Sequence, residues 1–198
     1  MNQIHHTEAI VLGGYAKGEA DRLISLYTRD FGLVRADAKG IRKTTSKLRF
    51  ALQSYTIVQT DLIVTRAAYR AGSTDLILSI ASPDMSVLTV LNRIVTLLRR
   101  LVPEEEKNEP LYNALKEVIE FLSKNNKEDI SRQKNTTDTS SLELLSVFRM
   151  LYHLGYITGN DERSLVREPI TSELLAQVKL RRESLVQEVN KSLKETML

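Results

Sequence analysis

The chain of 198 residues contains no cysteine. That excludes disulfides, thiol nucleophiles and any thiolate-bound zinc. It contains no apolar run of the roughly 18 residues that a membrane helix needs. The opening residues, MNQIHHTEAIVLGG, lack a basic segment followed by a long apolar core, so no secretory signal is read and a cytoplasmic protein is expected. Histidine is scarce: His5 and His6 read as a surface pair, and His153 as a helix-packing residue. With dispersed histidines and no thiol, a metal site has no support. There is no phosphate-binding loop ending in Gly-Lys-Ser/Thr and no Gly-x-Ser-x-Gly elbow. Gly13-Gly14 reads as a turn instead. Glu19 and Asp21 read as two carboxylates on one strand face, but Lys17 and Arg22 stand close and make a surface ion-pair cluster the simpler reading. No catalytic residue, cofactor or metal ligand is therefore expected.

What the chain does have is asymmetric charge. Its net charge is +3, yet residues 1–70 hold 11 Lys and Arg against 6 Asp and Glu, and the remainder holds 17 against 19. The positive excess belongs to the first third, which points to an anionic partner for that part. The densest stretch is AKGIRKTTSKLRFALQSYT. Between positions 38 and 52 it carries Lys39, Arg42, Lys43, Lys47 and Arg49 and no acid. Thr44, Thr45 and Ser46 add hydroxyl donors, and Gly40 lets the backbone turn or approach a ligand closely. Such a stretch can hold phosphates by charge and by neutral hydrogen bonds. A solvated basic loop without a partner is the competing reading. Among the aromatics Tyr15, Tyr27, Phe31, Phe50, Tyr55 and Tyr69, most read as core. Tyr15 and Tyr69, beside Lys17 and Arg70, are the better candidates for base stacking.

The order of elements is strands, then helices. Strands are read at 7–13, Asp21–Thr28, 33–38, 55–65 and 75–80, with a turn at Asp30-Phe31-Gly32 and a break at Gly72-Ser73. Five short strands in about 80 residues suit a small barrel. At Ser82-Pro83-Asp84 the period changes to helical, with Ser82 as cap and Pro83 opening the helix. Val87, Leu91, Ile94, Leu98 and Leu101 form its stripe. Pro110 opens a second helix carrying Leu111, Leu115, Val118, Ile119 and Leu122. Residues 123–139 read as an exposed polar loop. A third helix follows at 141–154 with Gly155 as its stop. Residues 157–169 read as irregular, and a last helix capped by Thr171 or Ser172 runs almost to the terminus. The expected fold is α+β: a five-stranded OB-like barrel over residues 1–81, then a helical bundle over 82–198. The helices could also leave an apolar groove for a partner's peptide, although their leucines suffice to fill their own core.

Three stretches resemble the opening of the RecO family of DNA repair mediators. They are Glu8-Ala-Ile-Val-Leu, Gly18-Glu-Ala-Asp-Arg-Leu23 and Tyr27-Thr-Arg-Asp-Phe-Gly32. The resemblance continues through Ala38-Lys-Gly-Ile-Arg-Lys43, Ser46-Lys-Leu-Arg49 and Leu52-Gln-Ser-Tyr-Thr56. In the helical part it is clear at 144–156, a leucine-rich helix ending in Leu154-Gly155-Tyr156. The resemblance implies a bacterial, nucleoid-associated protein with an N-terminal OB domain. It implies binding of single- and double-stranded DNA, annealing of complementary strands, and recombinase loading without enzymatic turnover. It implies RecR and the C-terminal tail of single-stranded DNA-binding protein as partners. Many family members carry a four-cysteine zinc module after the Leu-Gly-Tyr segment; residues 157–169 hold no cysteine, so no zinc is expected. On this reading Arg35, Lys39, Arg42, Lys43, Lys47 and Arg49 contact phosphates and Ser46 donates a hydrogen bond to one. An interaction module that no longer binds DNA, and an RNA-binding OB protein, are the alternatives.

Overall fold

A computed structural model describes residues 3–65, 68–129, 138–158 and 163–195. In the first part of the chain, strands β1 (Ile4–Lys17), β2 (Asp21–Thr28), β3 (Gly32–Ala38), β4 (Ile57–Val64) and β5 (Tyr69–Leu78) form one sheet, with a short helix α1 (Leu48–Ala51) between β3 and β4. The sheet closes on itself in the order β1-β2-β3-β5-β4, with β4 returning to β1. Every pairing is antiparallel except β3 with β5. Alternate residues point inward, as a closed barrel demands. Ala9 and Val11, Ile24 and Leu26, Val34 and Ala36, Val58 and Leu62, and Ala71 make the barrel core.

Two glycine signals read from the sequence take a different role here. Gly13-Gly14 is not a turn, because β1 runs straight through it, with a bulge between Val11 and Gly13. A Cβ on Gly14 would stand 2.4 Å from the Leu23 carbonyl oxygen, so the residue lets two strands approach closely. Gly72-Ser73 does not break the chain either; it lies within β5 at an irregularity in the β4–β5 pairing. Consequently β5 begins at Tyr69, six residues before the strand read from the sequence at 75. Glu19 lies in the β1–β2 turn, so it shares no strand face with Asp21.

The chain divides into two compact units, residues 1–80 with Val102–Tyr112, and Ala81–Leu101 with Asn113–Leu198. Within the first unit, 102–112 folds back on β3. Leu33 pairs with Glu104, and the Glu105 N–H donates to the Leu33 carbonyl at 2.9 Å. The Tyr112 ring lies 6.2 Å from that of Tyr27, and its hydroxyl donates to Glu8 at 2.9 Å. Gly32 makes this return possible. Its φ is +65°, and a Cβ there would lie 2.0 Å from the Glu106 carbonyl oxygen.

The helical unit holds α2 (Met85–Leu101), most of α3 (Glu109–Asp129), α4 (Thr139–His153), α5 (Arg163–Arg167), α6 (Ser172–Leu180) and α7 (Arg182–Glu195). The cap of α2 is Asp84, not Ser82: its carboxylate accepts the Val87 N–H at 2.9 Å. α3 extends to Asp129, so 123–129 is helix and not loop; the rest of that expected loop up to 137 lies outside the described residues. The span 157–169, read as irregular, contains α5. α4 ends as expected, with Gly155 following it and Tyr156 N–H donating to Leu151. Thr171 caps α6, but the expected single last helix is two. Arg181 and Arg182 fall where the apolar stripe of Leu174, Leu175 and Val178 would continue, and the stripe resumes only at Leu185 and Val189.

The polar anchor of this unit is Arg149, fully buried on α4. Its guanidinium donates to the carbonyls of Leu165 and Glu168 and pairs with Glu117 at 2.7 Å. Glu117 in turn accepts the Ile170 N–H. One side chain thus ties α3 and α4 to α5 and the residue that follows it.

Two outcomes are expected from urea unfolding. Gly32→Ala should lower stability by about 1–3 kcal/mol, since a left-handed φ and a blocked backbone contact act together. Arg149→Ala should cost about 3–5 kcal/mol by stranding a carboxylate and two carbonyls. Unchanged midpoints would show that neither contact holds its unit together.

Candidate nucleic-acid interface

The basic stretch lies between β3 and β4, and both of its ends are fixed. At the β3 end, Asp21 accepts the Gly40 N–H at 2.8 Å and the Lys39 ammonium at 2.7 Å. The Arg42 N–H donates to Ala20, and the Arg42 guanidinium to the Gly18 carbonyl at 3.0 Å. The loop is thereby clamped to the β1–β2 turn. At the β4 end, the Thr56 hydroxyl bonds the carbonyls of Ala51 and Gln53, and the backbone of Tyr55 and Thr56 bonds Val11.

Between these ends the apolar side chains turn inward. Ile41, Ala51 and Leu52 belong to the barrel core and Leu48 packs against it. The charged side chains are left outside, and Arg42, Lys43, Lys47 and Arg49 are all exposed. The segment works as a plug whose outer surface is basic. Backbone turns from Gly40 to Lys43, Lys43 to Ser46 and Ser46 to Arg49 hold its path.

The seven residues read from the sequence as a phosphate site fall into two groups. Arg35 leaves the loop altogether. It stands on β3 and pairs with Glu104 at 2.6 Å. Lys39 pairs with Asp21, and Arg42 spends one guanidinium nitrogen on Gly18. Lys43, Lys47 and Arg49 have no acidic partner among the described residues. Ser46 sits between them, half-buried.

Of the neighbouring strand cations, Lys17 donates to both oxygens of Asp37 at 2.7 and 2.9 Å, whereas Arg70 on β5 is exposed with no acidic partner among the described residues. The Arg22 guanidinium donates to the Gly14 carbonyl. Tyr15 stands free, 63% exposed, whereas Tyr69 packs against the barrel core and is no open platform. The most exposed aromatic on this unit is one the sequence reading set aside: Phe50, 69% exposed on α1. The signal was present. Leu48, Ala51 and Leu52 are helically spaced and inward, which turns Arg49 and Phe50 outward. Among the described residues no group of three or more His, Asp or Glu is placed to hold a metal ion, and no helix is long and apolar enough to cross a membrane.

A closed five-stranded barrel with this strand order, a short helix between its third and fourth strands and a following helical unit defines an OB-type α+β protein. A profile described as "Recombination protein O N terminal" matches residues 1–67, and one described as "Recombination protein O C terminal" matches residues 82–158. The chain belongs to the recombination protein O (RecO) family. It is 30% identical over 109 residues to the "DNA repair protein RecO" of Cutibacterium acnes (strain DSM 16379 / KPA171202), a match that covers 54% of this chain and 44% of that relative.

The anchor of the loop is titratable. The hydrogen bonds from the Lys39 ammonium and the Gly40 N–H hold the Asp21 carboxyl below its ordinary value of 3.8. A carboxyl with a depressed folded value stabilises the anchored loop at all higher pH and releases it only as pH falls through that depressed value. The Gly40 amide resonance should therefore titrate with a midpoint below 3.8. In Asp21→Asn the transition should vanish and hydrogen exchange at Gly40 and Arg42 should accelerate. A midpoint at the ordinary carboxylate value would mean that Asp21 does not anchor the loop.

Proposed function

We propose that the protein is a non-enzymatic DNA repair and recombination mediator that binds DNA through the 39–49 loop. It anneals complementary strands and assists recombinase loading with RecR. The C-terminal tail of single-stranded DNA-binding protein is its second partner, and the bacterial nucleoid its place of action. The observation that carries this reading is the trio Lys43, Lys47 and Arg49: cations without counter-charges on a segment anchored at both ends. The anchoring removes most of the ordering cost that a mobile basic loop would bear on binding a polyanion.

Family membership and the likeness to a DNA repair protein support the DNA assignment. Arg35, Lys39 and Arg42 join as an outer ring. The Arg35–Glu104 pair is solvent-exposed, so exchanging its carboxylate for a phosphate costs little, while Lys39 and Arg42 can add a phosphate contact and keep their bonds to Asp21 and Gly18. Ser46 supplies a neutral donor. Charge without base-edge donors gives affinity with little sequence readout.

The pairing of Arg35 and Lys39 with Glu104 and Asp21 favours a second reading, a protein-interaction module with residual DNA affinity. Salt separates the two. Three to six phosphate contacts predict a log–log slope of about −2 to −4 for single strands. Changing Lys43, Lys47 and Arg49 to Glu together should abolish measurable binding at physiological salt and stop annealing of strands coated with single-stranded DNA-binding protein. If the triple variant binds and anneals like the unaltered protein, the loop is not the DNA site. If the unaltered protein shows no affinity at physiological salt yet still binds RecR, the interaction module is correct. Competition between matched RNA and DNA strands tests whether the barrel prefers DNA.

A further inference from the structure

We propose that Phe50 is a base-stacking platform and gives the loop a preference for unpaired over paired strands. The inference rests on the DNA reading above and deepens it from phosphate binding to strand selectivity.

Three observations carry it. Phe50 is 69% exposed on an anchored support: Ala51 and Leu52 lie in the barrel core and Leu48 packs against it. An exposed phenyl ring by itself is ordinary on a protein surface. What distinguishes this one is its surroundings. It follows Arg49 directly, and Lys47 and Lys43 lie on the same segment, all exposed and without an acidic partner among the described residues. From 38 to 52 the sequence contains no acid at all. A polyanion drawn to these cations passes an open aromatic face. Only a polyanion with unpaired bases can use that face, because a duplex keeps its bases stacked inside.

Tyr15, the other exposed Phe or Tyr among the described residues of the strand unit, lacks this setting. Its neighbouring cation Lys17 is held by Asp37 and the guanidinium of Arg22 by a backbone carbonyl. The charge complementarity therefore selects Phe50 as the stacking residue and single-stranded DNA as the occupant.

The chain has no tryptophan, so a ring introduced at this position reports alone. Phe50→Trp should be quenched by an oligothymidylate. It should not be quenched by inorganic polyphosphate, which meets the same cations but carries no base. Phe50→Ala should weaken oligothymidylate binding by about 5- to 100-fold. Its duplex affinity should stay within about twofold, and its salt slope should not change, since no phosphate contact is lost. Phe50→Leu, which keeps apolar bulk without a π-face, should behave like the alanine variant.

Full single-strand affinity in either variant overturns the proposal, as does an equal loss on single and double strands, or an unquenched tryptophan at saturating oligothymidylate. These results leave the phosphate reading standing so long as charge reversal of Lys43, Lys47 and Arg49 still abolishes binding. If that charge reversal has no effect, the phosphate reading falls and the stacking proposal falls with it.

Discussion

The basic segment depends on one carboxylate. Asp21 accepts the backbone of Gly40 and the ammonium of Lys39 with its two oxygens, and so fixes where the chain leaves β3. Without it, the closely spaced cations would repel one another into an extended, mobile loop. With it, and with Arg42 bonded to the β1–β2 turn, the repulsion is resisted by backbone bonds that cost no counter-charge farther along. The single acid is spent at the root, so the tip stays unneutralised. This accounts for why Lys39 is paired and Lys43, Lys47 and Arg49 are not.

The core supports the same arrangement. Ile41, Ala51 and Leu52 join the barrel core and Leu48 packs against it. Burying such side chains contributes roughly 1.5–3 kcal/mol each for the larger ones. The loop is thus held by hydrophobic burial as well as by polar anchors, and neither acts on its outer face. The division of labour is visible residue by residue along α1: Leu48 inward, Arg49 and Phe50 outward, Ala51 inward.

Much of this was legible in the sequence. The strand Asp21–Thr28 is legible as a short apolar-rich run and 33–38 by its alternation, and the loop's cations are dense enough to be found by counting. What was not legible depends on contacts far apart in the chain. Gly13-Gly14 and Gly72 resemble turns because glycine weakens any strand pattern, yet their role comes from a neighbouring strand or a bulge that no local window contains. The pairing of Arg35 with Glu104 bridges 69 positions, so a list of basic residues could not separate engaged cations from free ones. Phe50 was passed over for a different reason. It stood among the stacking candidates, but Tyr15 and Tyr69 ranked above it on their neighbouring cations, and only the phase of the four-residue helix shows which ring is turned outward.

The same distinction between engaged and free charge bears on the whole strand unit. Its surplus of cations over acids overstates what a polyanion meets, since Lys17, Arg35 and Lys39 already hold carboxylates. Those pairs lie on or next to the barrel strands, while Lys43, Lys47 and Arg49 lie on the plug and Arg70 stands exposed on β5, all without an acidic partner among the described residues. A backbone of phosphates settling on the plug gains charge complementarity at once. To engage Lys17, Arg35 or Lys39 as well, it would have to displace Asp37, Glu104 or Asp21. Displacing Asp21 also loosens the root of the plug, so binding that spread across the strands would undo the support of the site it began from. The geometry therefore favours a footprint centred on residues 43–50, with Arg35, Lys39 and Arg42 at its edge.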